Sequence, residues 1–524
     1  MAQTKSKAKS RGGKKRYGTI FLTIALIVVT GLSTYIIADG ALHRSLILKD
    51  KAFMTALSTA LDKFPAQISE QDLAKVKVLY VNGIYYPEYN YIDSGFTLTI
   101  GYDEAVEDVK KQLAEADNAD GSEVENNSEF EETVEGTESA EDAESTPEEN
   151  TDDYYFTAES GVDITDFSSL ALFPNLEYLR IYYQPTMKNV DFVANMTSLK
   201  SANIELVSNV TDFSPFSNLT SLERLTIAGS KVDDLSVLTG LENLQQLVLS
   251  SAEIEDISSL ESFTNLTDLF LSYNTITDIS ALKNLTKLKN LSLESNQIKD
   301  VSPLANLKAL KTLSLSSNQI EDMKSLAGLT AVETLDLSYN QITDISAVPS
   351  MSALKNIGLN SNTITEIDAL ADSKSLENLY INENSIADIT AIGSIKTLEG
   401  LYMSGNSVTD ISALASLTSL EMLAMDNNSI VDISTIEPLK NTLTALTLKN
   451  NQIVDISVLS EFASLTELSL DGNKITDFSA LSAFEEGGTM TISGKDSQSL
   501  YDDIYDASAD TDIDDVDDGD GTVD

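Results

Sequence analysis

Carboxylates are the most abundant groups in this chain that could do chemistry, and their spacing decides what kind. Asp278-Ile279-Ser280, Asp300-Val301-Ser302, Asp344-Ile345-Ser346, Asp410-Ile411-Ser412 and Asp455-Ile456-Ser457 share one pattern at dispersed, regular positions. Acid–base catalysis needs acidic groups that converge on one site. Side chains spread this evenly are instead expected to cap brief helical turns through their oxygens. Other catalytic chemistry is scarce. The chain has no cysteine and its only histidine is His43, so thiolate nucleophiles and zinc–thiolate sites are excluded and nucleophile–histidine pairs nearly so. Asp512 to Gly521 superficially resembles a calcium loop, but the D-x-D-x-D-G register is not met and no glutamate closes it. No enzyme activity, cofactor or metal is expected.

Recognition chemistry is better represented. In a recurring L-x-L alternation, the position between the leucines forms an outward column that includes Arg180, Phe270, Asp336, Tyr380 and Tyr402, among mostly small residues. Tyr178 and Tyr182 flank Arg180, and Tyr380 and Tyr402 occupy the same column in adjacent units. Exposed aromatics and arginine on a rigid surface are the usual anchors of protein interfaces. These seven residues are the expected partner-binding set.

The elements that must position them form a repeat. Asn274, Asn296, Asn318, Asn340, Asn362, Asn384, Asn406 and Asn428 recur every 22 residues with a fixed frame of leucines. Such a period predicts a solenoid in which each unit buries its apolar face only against its neighbours. Fourteen units are legible, the first opening at Leu176 and the last at Leu465, with a final strand at Met490–Ile492. The L-x-L period of two marks a short strand, and parallel stacking at about 4.8 Å predicts a curved face on the order of 65 Å long. Each Asn stands where the chain turns inward, so its amide is expected to satisfy backbone groups of the turn. Asn-Leu-Thr at Asn218, Asn265 and Asn284 also matches a glycosylation acceptor, but those asparagines are fixed parts of the frame.

The frame N-x-I-x-D-I-S-x-L resembles the internalin type of leucine-rich repeat found in surface proteins of Gram-positive bacteria, over Gly161 to about Ser493. The same repeat class occurs in a eukaryotic phosphatase regulatory subunit. The resemblance implies an α/β solenoid, a leucine-rich-repeat horseshoe with a parallel concave sheet and short helical turns on its convex side, which recognises proteins through the concave face. Two departures stand out: there is no L-P-x-T-G wall-sorting motif, and no immunoglobulin-like domain can fit after the array. Covalent wall attachment and an invasin role therefore lack support.

Upstream, residues 1–16 are basic and expected in the cytoplasm; 17–38 are expected to be one transmembrane signal anchor, because Gly18 to Ala38 runs without a charge and is long enough to span a bilayer. The repeats would then lie outside the plasma membrane. Residues 50–83 read as an N-terminal cap, with helical spacing from Phe53 to Phe64, a capping box at Ser69 to Asp72 and a strand at Val78–Val81. Residues 84–160 read as an insertion: a strand at Phe96–Ile100 able to pair with Tyr154–Thr157, a helix over Asp103–Ala116, and an acidic, disordered 117–153. The array occupies 161–493, and 494–524 is an acidic tail. With 34 Lys and Arg against 83 Asp and Glu, the net charge of -49 argues against nucleic acid as a partner. The expected function is a membrane-anchored, extracytoplasmic module binding a protein or other surface macromolecule. The alternatives are a structural envelope protein with cation-binding polyanionic segments, or an intracellular scaffold like the phosphatase regulator.

Overall fold

The computed structural model describes residues 50–63, 67–86, 91–116, 155–160, 163–462, 464–481 and 491–493. The expected membrane anchor, the basic tail, the acidic stretch 117–153 and the acidic tail lie outside the described residues. Among the described residues no helix is long and apolar enough to cross a membrane. The chain divides into two compact units, Met1–Asn362 and Thr363–Asp524.

The first unit begins with a cap. Helix α1 (Lys51–Ala60) buries Phe53, Met54, Ala56, Leu57 and Ala60, and Phe53 meets Phe173 edge-on, ring centroids 6.3 Å apart. Its N-cap, Asp50, is buried and works in two directions. One oxygen accepts from the Phe53 N–H; the other accepts from the Thr165 N–H and hydroxyl, both at 2.8 Å. A single carboxylate thus ties the cap to the first coil across the whole insertion. Helix α2 (Glu70–Leu73) has the expected capping box, with Ser69 and Asp72 satisfying each other's backbone N–H groups.

Strand β1 (Val78–Tyr86) takes the place of a repeat strand: Val78 to Asn82 pair in parallel with Tyr178 to Tyr182 of β4 (Tyr178–Tyr182). The insertion hangs from its other edge, where β2 (Tyr91–Gly101) and β3 (Tyr155–Ser160) add antiparallel and Ile100 faces Phe156. Between them runs α3 (Asp103–Ala116). From β4 the sheet continues in parallel through β5 (Ser201–Glu205), β6 (Arg224–Ala228), β7 (Gln246–Val248), β8 (Asp268–Phe270), β9 (Asn290–Ser292), β10 (Thr312–Ser314), β11 (Thr334–Asp336) and β12 (Asn356–Gly358). Equivalent leucines align, Leu269 beside Leu291 beside Leu313 beside Leu335, and all four are buried. The second unit repeats this order with β13 (Asn378–Tyr380), β14 (Gly400–Tyr402), β15 (Met422–Ala424), β16 (Ala445–Thr447) and β17 (Glu467–Ser469). Its last strand, β18, is Thr491–Ser493 and pairs Ile492 with Leu468; Met490 of the predicted strand lies outside the described residues.

The asparagines do what their position requires. Asn318 Nδ2 donates to the carbonyls of Leu315, Ser316 and Leu293, at 2.9 to 3.1 Å, and Oδ1 accepts from the Ile298 N–H at 2.9 Å. The residue before each ladder asparagine adopts positive φ: Tyr273, Ser295, Ser317, Tyr339 and Ser361 in the first unit, and in the second Glu383, Gly405, Asn427, Asn450 and Gly472. Only two of these ten are glycine, although this backbone costs other residues on the order of 1 kcal/mol. The amide hydrogen bonds hold the turn there regardless.

On the opposite edge the helical turns are 3-10 rather than α, such as Ser280–Asn284 and Ser302–Asn306. The Asp-Ile-Ser carboxylates start them, Asp278 accepting from the Ser280 N–H at 2.8 Å, two residues on. This contact comes from one position before the N-cap, which is Ile279. Hydrogen bonds from the Ser346 hydroxyl and N–H, with Lys324 at 3.0 Å, hold the Asp344 carboxyl down at about 2.

Two predictions follow from these contacts. Asn318→Ala leaves the buried Ile298 N–H without its acceptor and removes one donor from the Leu293, Leu315 and Ser316 carbonyls, each of which keeps another, so urea unfolding should show a stability loss of about 1–3 kcal/mol. Because the folded pKa of Asp344 lies below its ordinary 3.8, its cap stabilises the fold above about pH 4 and is lost as pH falls through about 2. Carboxyl-resolved NMR titration should find its midpoint near 2, moving up toward 3.8 in Ser346→Ala.

Candidate binding surfaces

The strand alternation sends Leu79, Val81, Leu179 and Ile181 into the leucine core, leaving Val78, Tyr80, Tyr178 and Arg180 on the open face of the sheet. At the start of the first unit that face is already covered. Ala105, Val106 and Val109 of α3 pack with Val78 and Tyr178, joined by Tyr80 and Leu113. Three residues expected to be exposed anchors are therefore buried: Tyr178 at 6%, Arg180 at 8% and Phe270 at 5% exposure. For Tyr178 the cause is the helix laid over it, and Arg180 lines a cavity beside that helix. Phe270 lies in register between Val248 and Ser292. Tyr182 is half-buried, its ring 5.6 Å from the Arg180 guanidinium. Asp336 is also half-buried, and its Oδ1 accepts from the Ser338 N–H at 2.9 Å, which makes it a turn-holding group first.

Tyr380 and Tyr402 lie side by side in register, rings stacked at 4.5 Å between centroids and inclined by 10°. The Tyr402 hydroxyl reaches Met422 Sδ at 3.2 Å, and Met422 itself is 41% exposed. Gly400 lies under this arrangement: a Cβ there would overlap Asn378 Oδ1 and press on Tyr402 Cε2 at 3.1 Å. The outward positions two residues beyond Tyr380, Tyr402 and Ala424 lock the strand ends in place. Asn382 Oδ1 accepts from Ser404 N–H, Ser404 Oγ from Asp426 N–H, and Asp426 Oδ1 from Lys449 N–H, at 2.6 to 3.0 Å. Burial pushes the Asp426 carboxyl above its ordinary range, against the hydrogen bond from Lys449.

A family model of leucine rich repeats in two copies matches residues 242–284, 264–306, 286–328, 308–350, 330–372, 396–441 and 441–483. An internalin (inlF) of Listeria monocytogenes is 31% identical with a TM-score of 0.53, over 65% of this chain and 92% of that one. The chain belongs to the internalin-like leucine-rich-repeat family. Internalin C2 of Listeria monocytogenes is 34% identical over 36% of this chain and 83% of its own, with a TM-score of 0.35. A leucine-rich-repeat protein of Leptospira interrogans shares the fold at 20% identity, TM-score 0.52, over 63% of this chain and 98% of its own. None of the curated protein sequences matches the chain.

This internalin-like array also exposes aromatics that the column pattern missed. Tyr273 and Tyr339 are 54% and 60% exposed, and both are left-handed residues preceding a ladder asparagine. Their signal in the sequence is L-S-Y-N, a bulky ring where other coils of the first unit carry serine. Because the open stack depends on the missing side chain at 400, Gly400→Val should push Tyr402 off Tyr380. The expected readout is loss of the mutual ring-current shifts of the two tyrosines by NMR, with a melting temperature within a few degrees of the parent; an unchanged stack would show that Gly400 is not what admits it.

Proposed function

We propose that this chain is a membrane-anchored, extracytoplasmic module that binds a protein partner through the open face of its repeats, with Tyr380, Tyr402 and Met422 at the centre of the contact. The stacked tyrosines are the observation that carries this reading. A preformed aromatic pair loses little side-chain freedom on binding, and such pairs add about 0.5–1.5 kcal/mol beyond the area they bury. The anchor is supported by the uncharged run Gly18–Ala38 behind a flank of lysines and arginines. No group in this reading turns over a substrate.

The test uses the full chain in detergent, beside a Tyr380→Ala plus Tyr402→Ala variant of equal thermal stability, against cell-surface proteins at physiological salt. The expected result is one protein retained by the parent, with affinity reduced at least about tenfold, or 1.4 kcal/mol, in the variant. Retention only of cationic material, equal in both forms and removed by salt, would replace recognition by the polyanionic envelope role. A membrane-impermeant amine reagent on intact cells should label the repeat lysines; failure to reach them would remove the extracytoplasmic part.

A further inference from the structure

The first unit holds a second surface whose chemistry is opposite to that of the chain as a whole. There are five arginines in the sequence, and only Arg180 and Arg224 follow residue 50. Both line one half-open cavity of about 60 Å³ on the open face, roofed by Val109 and Leu113 of α3. In a chain of net charge -49, the joint placement of these two guanidinium groups, under an apolar helix, marks a local reversal of sign. The volume is several times the 10–15 Å³ or so that one water requires. It admits a carboxylate with a short stem.

The polar lining adds direction. Arg224 Nη1 donates to Gln246 Oε1 at 3.1 Å, which leaves the Gln246 amide nitrogen as the free donor end of that side chain. Asn203, in register between Arg180 and Thr226, has a buried Oδ1 with no hydrogen-bond donor. An acceptor without a donor, lining the same cavity as two guanidinium groups, is not what a fully deprotonated anion such as sulfate would complete, because it brings no donor. A peptide end brings both.

We propose that this cavity binds the C-terminal residue of a peptide: the carboxylate on Arg180 and Arg224, the last amide N–H on Asn203 Oδ1, and an apolar side chain against Val109 and Leu113. Arginine suits the role because its planar fork matches a carboxylate in two parallel hydrogen bonds. Glu205, next to Asn203 and within electrostatic reach of Arg180, is the carboxylate that opposes an incoming anion. Burial raises its pKa, against the Asn203 hydrogen bond and the Arg180 charge. Helix α3 belongs to the insertion, so the insertion builds the roof of a site that the repeats alone would leave open. The site is separate from the Tyr380–Tyr402 face and stands without it.

The experiment titrates the full chain in detergent with acetyl-Gly-Leu and acetyl-Gly-Phe, each as free acid and as C-terminal amide, and follows binding by NMR. An acetylated peptide amide with an internal glutamate separates a terminal carboxylate from an acidic side chain. Expected is binding of the free acids, weakened at least tenfold in the amides and in Arg224→Gln. Arg180 is buried and its variant could misfold, so Arg224→Gln, at a half-open position, is the main arm; Leu113→Ala, which widens the roof, should weaken acetyl-Gly-Phe and acetyl-Gly-Leu to different extents. Equal binding of acid and amide overturns the proposal. So does unchanged binding by a folded Arg224→Gln, preference for the internal glutamate, or no binding of any probe.

Discussion

A carboxamide holds this array together, and it serves two coils at once. Asn296 donates to Leu293 and Glu294 in its own coil and to Leu271 in the one before, while its oxygen takes the Ile276 N–H. Asn428 repeats the set in the second unit with Met425, Asp426, Met403 and Val408. The leucines supply the apolar energy, but they would do so for any stacking that kept them inside. The amide chooses one. By claiming backbone groups of both coils, it fixes the rise from each coil to the next and pins the left-handed residue before it.

That arrangement explains why so much of the fold was legible. A period of 22 residues places the same residue type in the same environment each time, so Leu291 and Leu313 share one reading and one burial. The cap and hairpin were also visible, because helical spacing, the Ser69–Asp72 box and strand alternation are local signals. What could not be read was which open-face residues remain open. Tyr178 is covered by Val106 and Val109, roughly seventy residues away in sequence, and no local pattern reports that contact. The L-x-L rule placed Phe270 in the outward column but could not show that it is buried there. Tyr273 and Tyr339 escaped for the converse reason: they stand outside the L-x-L column, at the left-handed residue before a ladder asparagine, and are exposed there.

The carboxylates show how a strongly acidic chain avoids working against itself. Asp256, Asp300 and Asp410 each accept a backbone N–H two residues on, at 2.8 Å, and the hydrogen bonds hold their carboxyls below the ordinary range. Like charges recur from coil to coil, yet each is compensated by its own turn. Repulsion along the column is thereby offset locally, and at Asp344 by Lys324 as well.

The asparagine bridge has a direction. The amides complete the coil before them, Asn318 reaching back 20 residues for an N–H and 25 for a carbonyl, Asn451 reaching 21 and 26. During synthesis, then, a coil leaves the ribosome with its leucines in place but its backbone incomplete, until the next asparagine emerges. The growing array always carries one unfinished coil at its leading edge, and a translational pause within a coil holds the chain there until the following amide arrives.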